Sequence, residues 1–285
     1  MVTGAGGQLG KQLTRDFRTS NFNVIATNKL TLNLFDLQSM RVFFSNNEFD
    51  WIVNCAAFTN LDSAEKAKRE ECRIVNSDSV AFLADIVKNI DVKVIQMSTD
   101  SVFSSQDPQY FQVHDEPNPC NFYGETKARA EEHLKNTIPE RSWIVRTSWN
   151  YGEWGGNFLN RILEKLANKE DLEVVGDQFG QPTWTRYIAE GIKSIIQGNI
   201  VPGTYHLAPH EYVSRAQFAR LIAENVVDWD GKISETVTFN NTKLAPRPRH
   251  SLLEPSKEFL SGTGLGNASL CRDIKQVISL RLKNE

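Results

Sequence analysis

Tyr123 and Lys127 stand four residues apart in Tyr123-Gly124-Glu125-Thr126-Lys127, a spacing that puts both side chains on one face of a helix. A phenol titrates near pH ~10, so it donates a proton readily at neutral pH only where a positive charge stabilises the phenolate left behind. Lys127 can supply that charge and can also hold a nicotinamide ribose. Upstream, Met97-Ser98-Thr99-Asp100 closes an apolar run, which puts the Thr99 hydroxyl where a strand would end. The three groups suit one reaction: hydride reaches a carbonyl carbon from a nicotinamide while Tyr123 protonates the oxygen and Thr99 orients it. Alone, a YxxxK pair is more often a surface pair on an amphipathic helix. Its weight comes from the beginning of the chain.

There, Gly4-Ala5-Gly6-Gly7-Gln8-Leu9-Gly10 follows a short apolar segment and opens a helical pattern. Gly4, Gly7 and Gly10 form GxxGxxG, with Gln8 and Leu9 starting the helix. Such a turn lets backbone approach a pyrophosphate, aims amides at it from a helix N-terminus, and lets helix and strand touch. Dinucleotide folds that prefer NAD carry an acidic residue about 20 residues further on. Here the sequence is Thr27-Asn28-Lys29, with Asn28 as the expected contact and Lys29 able to attract a 2′-phosphate. NADPH is therefore the expected cofactor, with NADH as the alternative. Asp36 and Leu37 suit an adenine edge, although Asp36 suits a helix N-cap equally well. Ala56 and Ala57, after Val53-Asn54-Cys55, are small enough for a flat cofactor to lie across a strand end, a demand that core packing would also make.

These groups need a scaffold, and short apolar runs alternating with helical spacing supply one. Strands are expected at Met1–Thr3, Asn23–Thr27, Trp51–Cys55, Val92–Met97 and Trp143–Arg146, with helices at Gly7–Phe17, Leu37–Asn46, Ser77–Lys88 and Tyr123–Lys135. The pattern predicts an α/β fold: a Rossmann-like doubly wound parallel sheet over residues 1–150 and a smaller C-terminal substrate-binding domain over 151–285. Further helical patterns cover Asn157–Ala167, Trp184–Ile196 and Ser214–Asn225, and the one near 184–197 can pack back on the sheet. The opening strand is short, and whether residues precede Met1 is left open.

The 285 residues carry a net charge of −3 without a basic block, which argues against nucleic acid and anionic membranes as partners. No apolar run approaches the roughly 20 residues of a membrane span, and the N-terminus lacks a signal-peptide layout, so a cytoplasmic protein is expected. The cysteines, Cys55, Cys72, Cys120 and Cys271, form no CxxC pair and are expected as buried free thiols. His206 and His210 lack partners at metal-ligand spacing and read as structural.

Beyond these motifs, the chain resembles the dTDP-4-dehydrorhamnose reductases, a branch of the extended short-chain dehydrogenase/reductases, almost from end to end. The segments that carry the likeness include GAGGQLG at 4–10, VNCAAFTNLDSAE at 53–65, STDSVF at 98–103, NFYGETKARAE at 121–131, RTSWNYG at 146–152, DQFGQPT at 177–183, GTYHLA at 203–208 and APRPRHS at 245–251. The resemblance implies Thr99, Tyr123 and Lys127 as the catalytic triad, Thr59 beside cofactor and sugar, and Trp149 and Asn157 at the sugar pocket. It implies reduction of dTDP-4-dehydro-β-L-rhamnose to dTDP-L-rhamnose. Trp149 could instead be a core aromatic. Arg247, between two prolines, could neutralise a diphosphate or be a solvated loop residue.

The family pattern reads STDYVF, whereas this chain has Ser101 in place of the tyrosine, which removes a bulky wall from the pocket. Where some members place an acidic metal ligand on the first helix, this chain has Gln12, and no metal is expected. A homodimer is admitted but not specified. Two alternatives compete: a non-catalytic regulatory subunit of the methionine adenosyltransferase beta type, which also carries a PRPR-like tail, and a nucleotide-sugar epimerase, which would recycle a tightly held NAD.

Overall fold

The structure, a computed structural model, describes residues 1–226, 229–237 and 244–284. Its frame is a five-stranded parallel sheet of β1 (Val2–Thr3), β2 (Trp51–Asn54), β3 (Lys93–Thr99), β4 (Ser142–Thr147) and β5 (Gly203–His206), in that spatial order. Parallel strands covered on both faces have no solvated side to mark with alternation, and every residue of β3 after Lys93 and all of β4 are buried.

The strand expected at Asn23–Thr27 is reduced to one bridge between Ala26 and Val2. Its neighbour β1 offers only two strand residues, and the pairing is spent on Val2 N–H to Ile25 C=O (2.8 Å) and Thr27 N–H to Val2 C=O (2.9 Å). Because β1 pairs with β2 on its other side, the chain order reverses at β1, the position where open α/β sheets leave a crevice beyond their carboxyl ends.

Helices α1 (Gln8–Thr19), α2 (Leu37–Asn46), α3 (Ser79–Val87) and α4 (Phe122–Thr137) follow the expected alternation. The helix expected from Ser77 instead begins with a π-turn over Ile74–Asp78. Later come α5 (Phe158–Ala167), α6 (Thr185–Ile196), α7 (Arg215–Ala223) and α8 (Leu270–Asn284). Helix α6 packs on α1, and one apolar core runs from Leu13, Ile95 and Val145 through Ile188 and Ile192 to Leu159 and Phe218. A second core on the other sheet face joins Met40, Ile52, Leu83 and Leu134. The halves of the chain thus share a core, and the sheet takes its last strand from beyond residue 200.

Short ladders tie the connecting segments to each other: 150–151 with 183–184, 179–180 with 213–214, and 110–111 with 252–253. Of the cysteines, which are all free, only Cys72 is fully buried, and Cys271 is exposed on α8, contrary to the expectation that all four would be interior. Among the described residues, no helix is long and apolar enough to cross a membrane.

Candidate active site

The glycine turn is built for close approach. Gly4 has φ +62°, and a Cβ there would lie 2.8 Å from the backbone of Ala56, while one on Gly10 would lie 2.3 Å from the Gly4 carbonyl oxygen. Turn, helix and β2 therefore meet only because these residues lack side chains. Gly7 caps α1 without a side-chain hydrogen bond, and no acidic residue occupies the first turn, which leaves amides and helix dipole available to an anion.

A cleft of about 320 Å³ opens beside the turn, lined by Gly4, Gly6 and Gly7, by Thr27-Asn28-Lys29, by Leu32–Phe35 and by Cys55-Ala56-Ala57. Its glycine turn suits a phosphate group, and none of its lining residues is acidic. Of the expected cofactor contacts, Gly4, Gly7, Asn28, Ala56 and Ala57 line it. Gln8 and Leu9 start α1, with Gly155 resting against Gln8 and Leu9 packed on the core. Asp36 and Leu37 do not line it. The Asp36 carboxylate accepts from the Gln38 and Ser39 amides as the N-cap of α2, and the wall is made by the four residues before it.

A second cleft, of about 660 Å³, lies over the carboxyl end of β3. Thr99, Tyr123, Thr59, Trp149 and Arg247 all line it, as does Ser101. Thr59 belongs to this cleft and not to the first. Asn157 is absent from it: its side chain caps α5 and donates to the Gly152 carbonyl (2.8 Å), so the α5 residues that reach the cleft are Phe158 and Arg161.

Helix α4 presents Tyr123 here. Its N-cap, Asn121, accepts from the Gly124 amide (2.8 Å) and donates to the Pro246 carbonyl (3.0 Å). Gly124 allows the helix to approach the Ser101 carbonyl, which a Cβ would meet at 2.1 Å. Burial, with smaller contributions from Asp100 and Cys72, pushes the Tyr123 phenol above its usual value, and the neighbouring Thr99 hydroxyl opposes this by favouring the phenolate. Lys127 sits one turn on, 3% exposed, donating to the Met97 carbonyl at 2.6 Å. Burial pulls its ammonium down to about 8, against opposing charge from Glu131. The ammonium directs its hydrogen bond to the end of the strand.

Trp149 adopts φ +43°, uncommon for a bulky residue. Its ring lies where a Cβ on Gly180 would stand and carries the Arg215 guanidinium 3.4 Å above it. It forms a wall of the cleft and also packs against the core. Arg247 is not a free cation: it pairs with Asp62 at 2.9 Å. The arginines of this cleft without a side-chain hydrogen bond or ion pair among the described residues are Arg161 and Arg215, and burial together with Arg161 and Arg247 lowers Arg215 to about 9.

Arg215, Arg161 and Asp100 were not legible as site residues. Arg215 follows Ser214 at the start of an ordinary amphipathic helix, and only its tertiary stacking on Trp149 marks it. His206 is engaged structurally, contacting Arg146 at 3.2 Å, whereas His210 is exposed and only its backbone carbonyl is bonded, accepting from the Tyr110 hydroxyl at 2.8 Å. Among the described residues no group of three His, Cys, Asp or Glu side chains could hold a metal ion.

Known proteins share this fold. The RmlD substrate binding domain family matches residues 1–278. The spore coat polysaccharide biosynthesis protein SpsK of Bacillus subtilis is 35% identical over 253 residues, 89% of this chain and 88% of that protein. A dTDP-4-dehydrorhamnose reductase of Mycolicibacterium smegmatis is 31% identical over 264 residues, covering 92% and 80%. Among solved structures, the dTDP-4-dehydrorhamnose reductase of Bacillus anthracis in complex with NADP superposes with a TM-score of 0.88 at 26% identity, covering 98% of both chains.

Proposed function

The chain belongs to the dTDP-4-dehydrorhamnose reductase family of extended short-chain reductases, and from that premise we propose that it is an NADPH-dependent oxidoreductase reducing the 4-keto group of dTDP-4-dehydro-β-L-rhamnose. The observation that carries this reading is the pair of clefts beyond the strand ends, one bounded by the glycine turn and Ala57 and the other by Thr59, Thr99 and Tyr123. Bound in the first, the cofactor supplies a hydride to the carbonyl carbon. Tyr123 donates its phenolic proton to the oxygen, and Thr99 holds that oxygen in line. Lys127 stays charged at neutral pH, fixes the cofactor's ribose and stabilises the phenolate that remains.

Residues beyond 150 contribute the substrate-facing cap in this reading. Trp149 forms one wall for the sugar, while Arg161 and Arg215, reinforced by Arg247, balance the diphosphate. The absence of a carboxylate beside Asn28 and Lys29 supports NADPH over NADH. The family relationship does not favour the regulatory-subunit or epimerase alternative.

The test is cofactor oxidation by the purified protein with freshly generated dTDP-4-dehydrorhamnose, run with NADPH and with NADH. Oxidation that depends on both sugar and protein supports the proposal, with NADPH giving the higher kcat/KM. A folded protein that binds NADPH but leaves it unoxidised would remove the reductase reading.

A further inference from the structure

Asp100 is a buried carboxylate at the floor of the second cleft, 5% exposed, and the chemistry above leaves it without a task. Three hydroxyls from three parts of the chain converge on it. Thr99, at the end of β3, donates to Oδ1 at 3.1 Å; Ser148, just after β4, and Ser251, beyond the Arg247 segment, donate to Oδ2 at 2.9 and 2.7 Å.

The proton count at Thr99 follows from these contacts. A hydroxyl has one proton and two lone pairs. The Thr99 proton goes to Asp100, and one lone pair takes the Ser101 amide at 3.1 Å. The remaining lone pair is available to the Tyr123 hydroxyl, which lines the same cleft, so while Tyr123 keeps its proton a bond between the two hydroxyls has Tyr123 as its donor. For Thr99 to donate to a substrate oxygen, its proton must leave Asp100. The carboxylate tolerates this because Ser148 and Ser251 still solvate it.

We infer that Asp100 is a positioning residue: it holds the Thr99 hydroxyl as acceptor for Tyr123 in the free protein and releases it to the substrate oxygen, its charge then carried by Ser148 and Ser251. This rests on the reductase reading for its substrate. Other charged groups facing Asp100 are few. Arg215 from α7 favours its ionised form, and Tyr123 from α4 is neutral. Burial raises the Asp100 carboxyl above the ordinary Asp range, and the bond from Ser251 is the foremost of those that hold it down. Protonated, Asp100 would donate to Thr99 in place of accepting from it and the device would fail, so an acid limb of kcat/KM belongs to this residue.

The test uses the full chain, wild type against Ser251→Ala and Asp100→Asn. In Ser251→Ala the limb moves to higher pH. In Asp100→Asn it disappears, while kcat at neutral pH drops by about tenfold to a hundredfold and NADPH affinity holds. A merely structural role would lower activity at every pH and leave the limb where it is, and that result overturns the proposal. If Asp100→Asn does not fold, the shift in Ser251→Ala decides.

A second readout is independent of turnover. In protein carrying ¹³Cζ-tyrosine, with the Tyr123 resonance identified by its loss in Tyr123→Phe, the wild-type signal follows the Asp100 titration and that of Asp100→Asn does not. A resonance unmoved in the wild type rejects the Asp100 assignment. A wild type that never oxidises NADPH rejects only the reductase reading.

Discussion

At the scale of the residue, Tyr123 and Lys127 have separable tasks. Tyr123→Phe keeps the ring that packs near Cys72 and Phe122 and removes only the proton. We expect kcat to fall by about 10² to 10⁴ with the NADPH dissociation constant unchanged, measured by single-turnover kinetics and fluorescence titration. Retention of the wild-type rate would exclude Tyr123 as the proton donor. Lys127 is different because it is costly to bury. Its pKa is lowered to about 8 in the folded protein from an unfolded value near ~10.4, so the unfolded chain binds more protons between these values and folding becomes more favourable as pH rises through that window. Lys127→Met, of similar length, removes the penalty. The Met97 carbonyl it leaves behind still accepts from Gln96 at 2.8 Å. The variant should melt at a temperature equal to or above wild type at pH 7, with an advantage that shrinks above pH 8, while turnover is lost. A lower melting temperature at pH 7 would show that the ammonium stabilises the fold.

At the scale of the element, the two-residue strand 179–180, paired with 213–214, sets the height of Trp149 and the position of Arg215. A Cβ on Gly180 would stand 2.2 Å from the Trp149 ring, so Gly180→Ala must push the indole from under the guanidinium. A rise in KM for the sugar nucleotide of about tenfold, with NADPH affinity unaltered, is the expected result, and equal losses in both affinities would argue against a local effect. This element also marks a boundary of legibility. Periodicity revealed the long helices and the buried strands β2 to β4, since each repeats its apolar signal over several residues. Two-residue ladders have no period, so neither 179–180 nor its partner could be read. The Asn23–Thr27 expectation failed in part for a related reason: strand propensity was present, but the neighbouring strand was too short to pair with it. Motif spacing singled out Gly4 and Gly10, which meet within one turn, and Thr99 and Tyr123, which line one cleft. Of the two readings open for Asp36 the N-cap is the one formed, and Asn157 was misjudged because a local helix cap claimed its side chain before any pocket could.

At the scale of the whole molecule, the helix that carries Tyr123 is fastened to the sheet by a buried ionic network that no local pattern announces. Glu131, one turn past Lys127 on α4, receives Arg146 of β4 through Nε at 3.0 Å and a terminal nitrogen at 2.6 Å, and the Ser98 hydroxyl of β3 at 2.6 Å. Arg146 also donates to the Val113 carbonyl (3.2 Å) and meets Nε2 of His206 on β5, whose Nδ1 faces the Glu254 carbonyl at 3.1 Å. Burial and the Arg146 charge hold His206 down to about 3, so at neutral pH its Nε2 is an acceptor and its Nδ1 a donor. The network thus joins α4, three strands and the segment that leads back to the cap. A buried pair of this kind gains little over a well-packed apolar pair, but breaking it strands a charge. Arg146→Met should therefore cost about 3–5 kcal/mol of unfolding free energy, read from urea denaturation, because Glu131 then keeps the Ser98 hydroxyl, the distant Lys135 and the charge of Lys127 but no close ion pair. Adding Glu131→Leu should return most of that loss. Full return is not expected, since His206 Nε2 loses its donor and a buried unpaired acceptor costs about 1–3 kcal/mol. If the double variant is no more stable than Arg146→Met alone, the guanidinium matters chiefly through its contacts with Val113, His206 and the Phe103 ring. The network would then act as a strut between strands and not as an anchor for the helix that carries Tyr123.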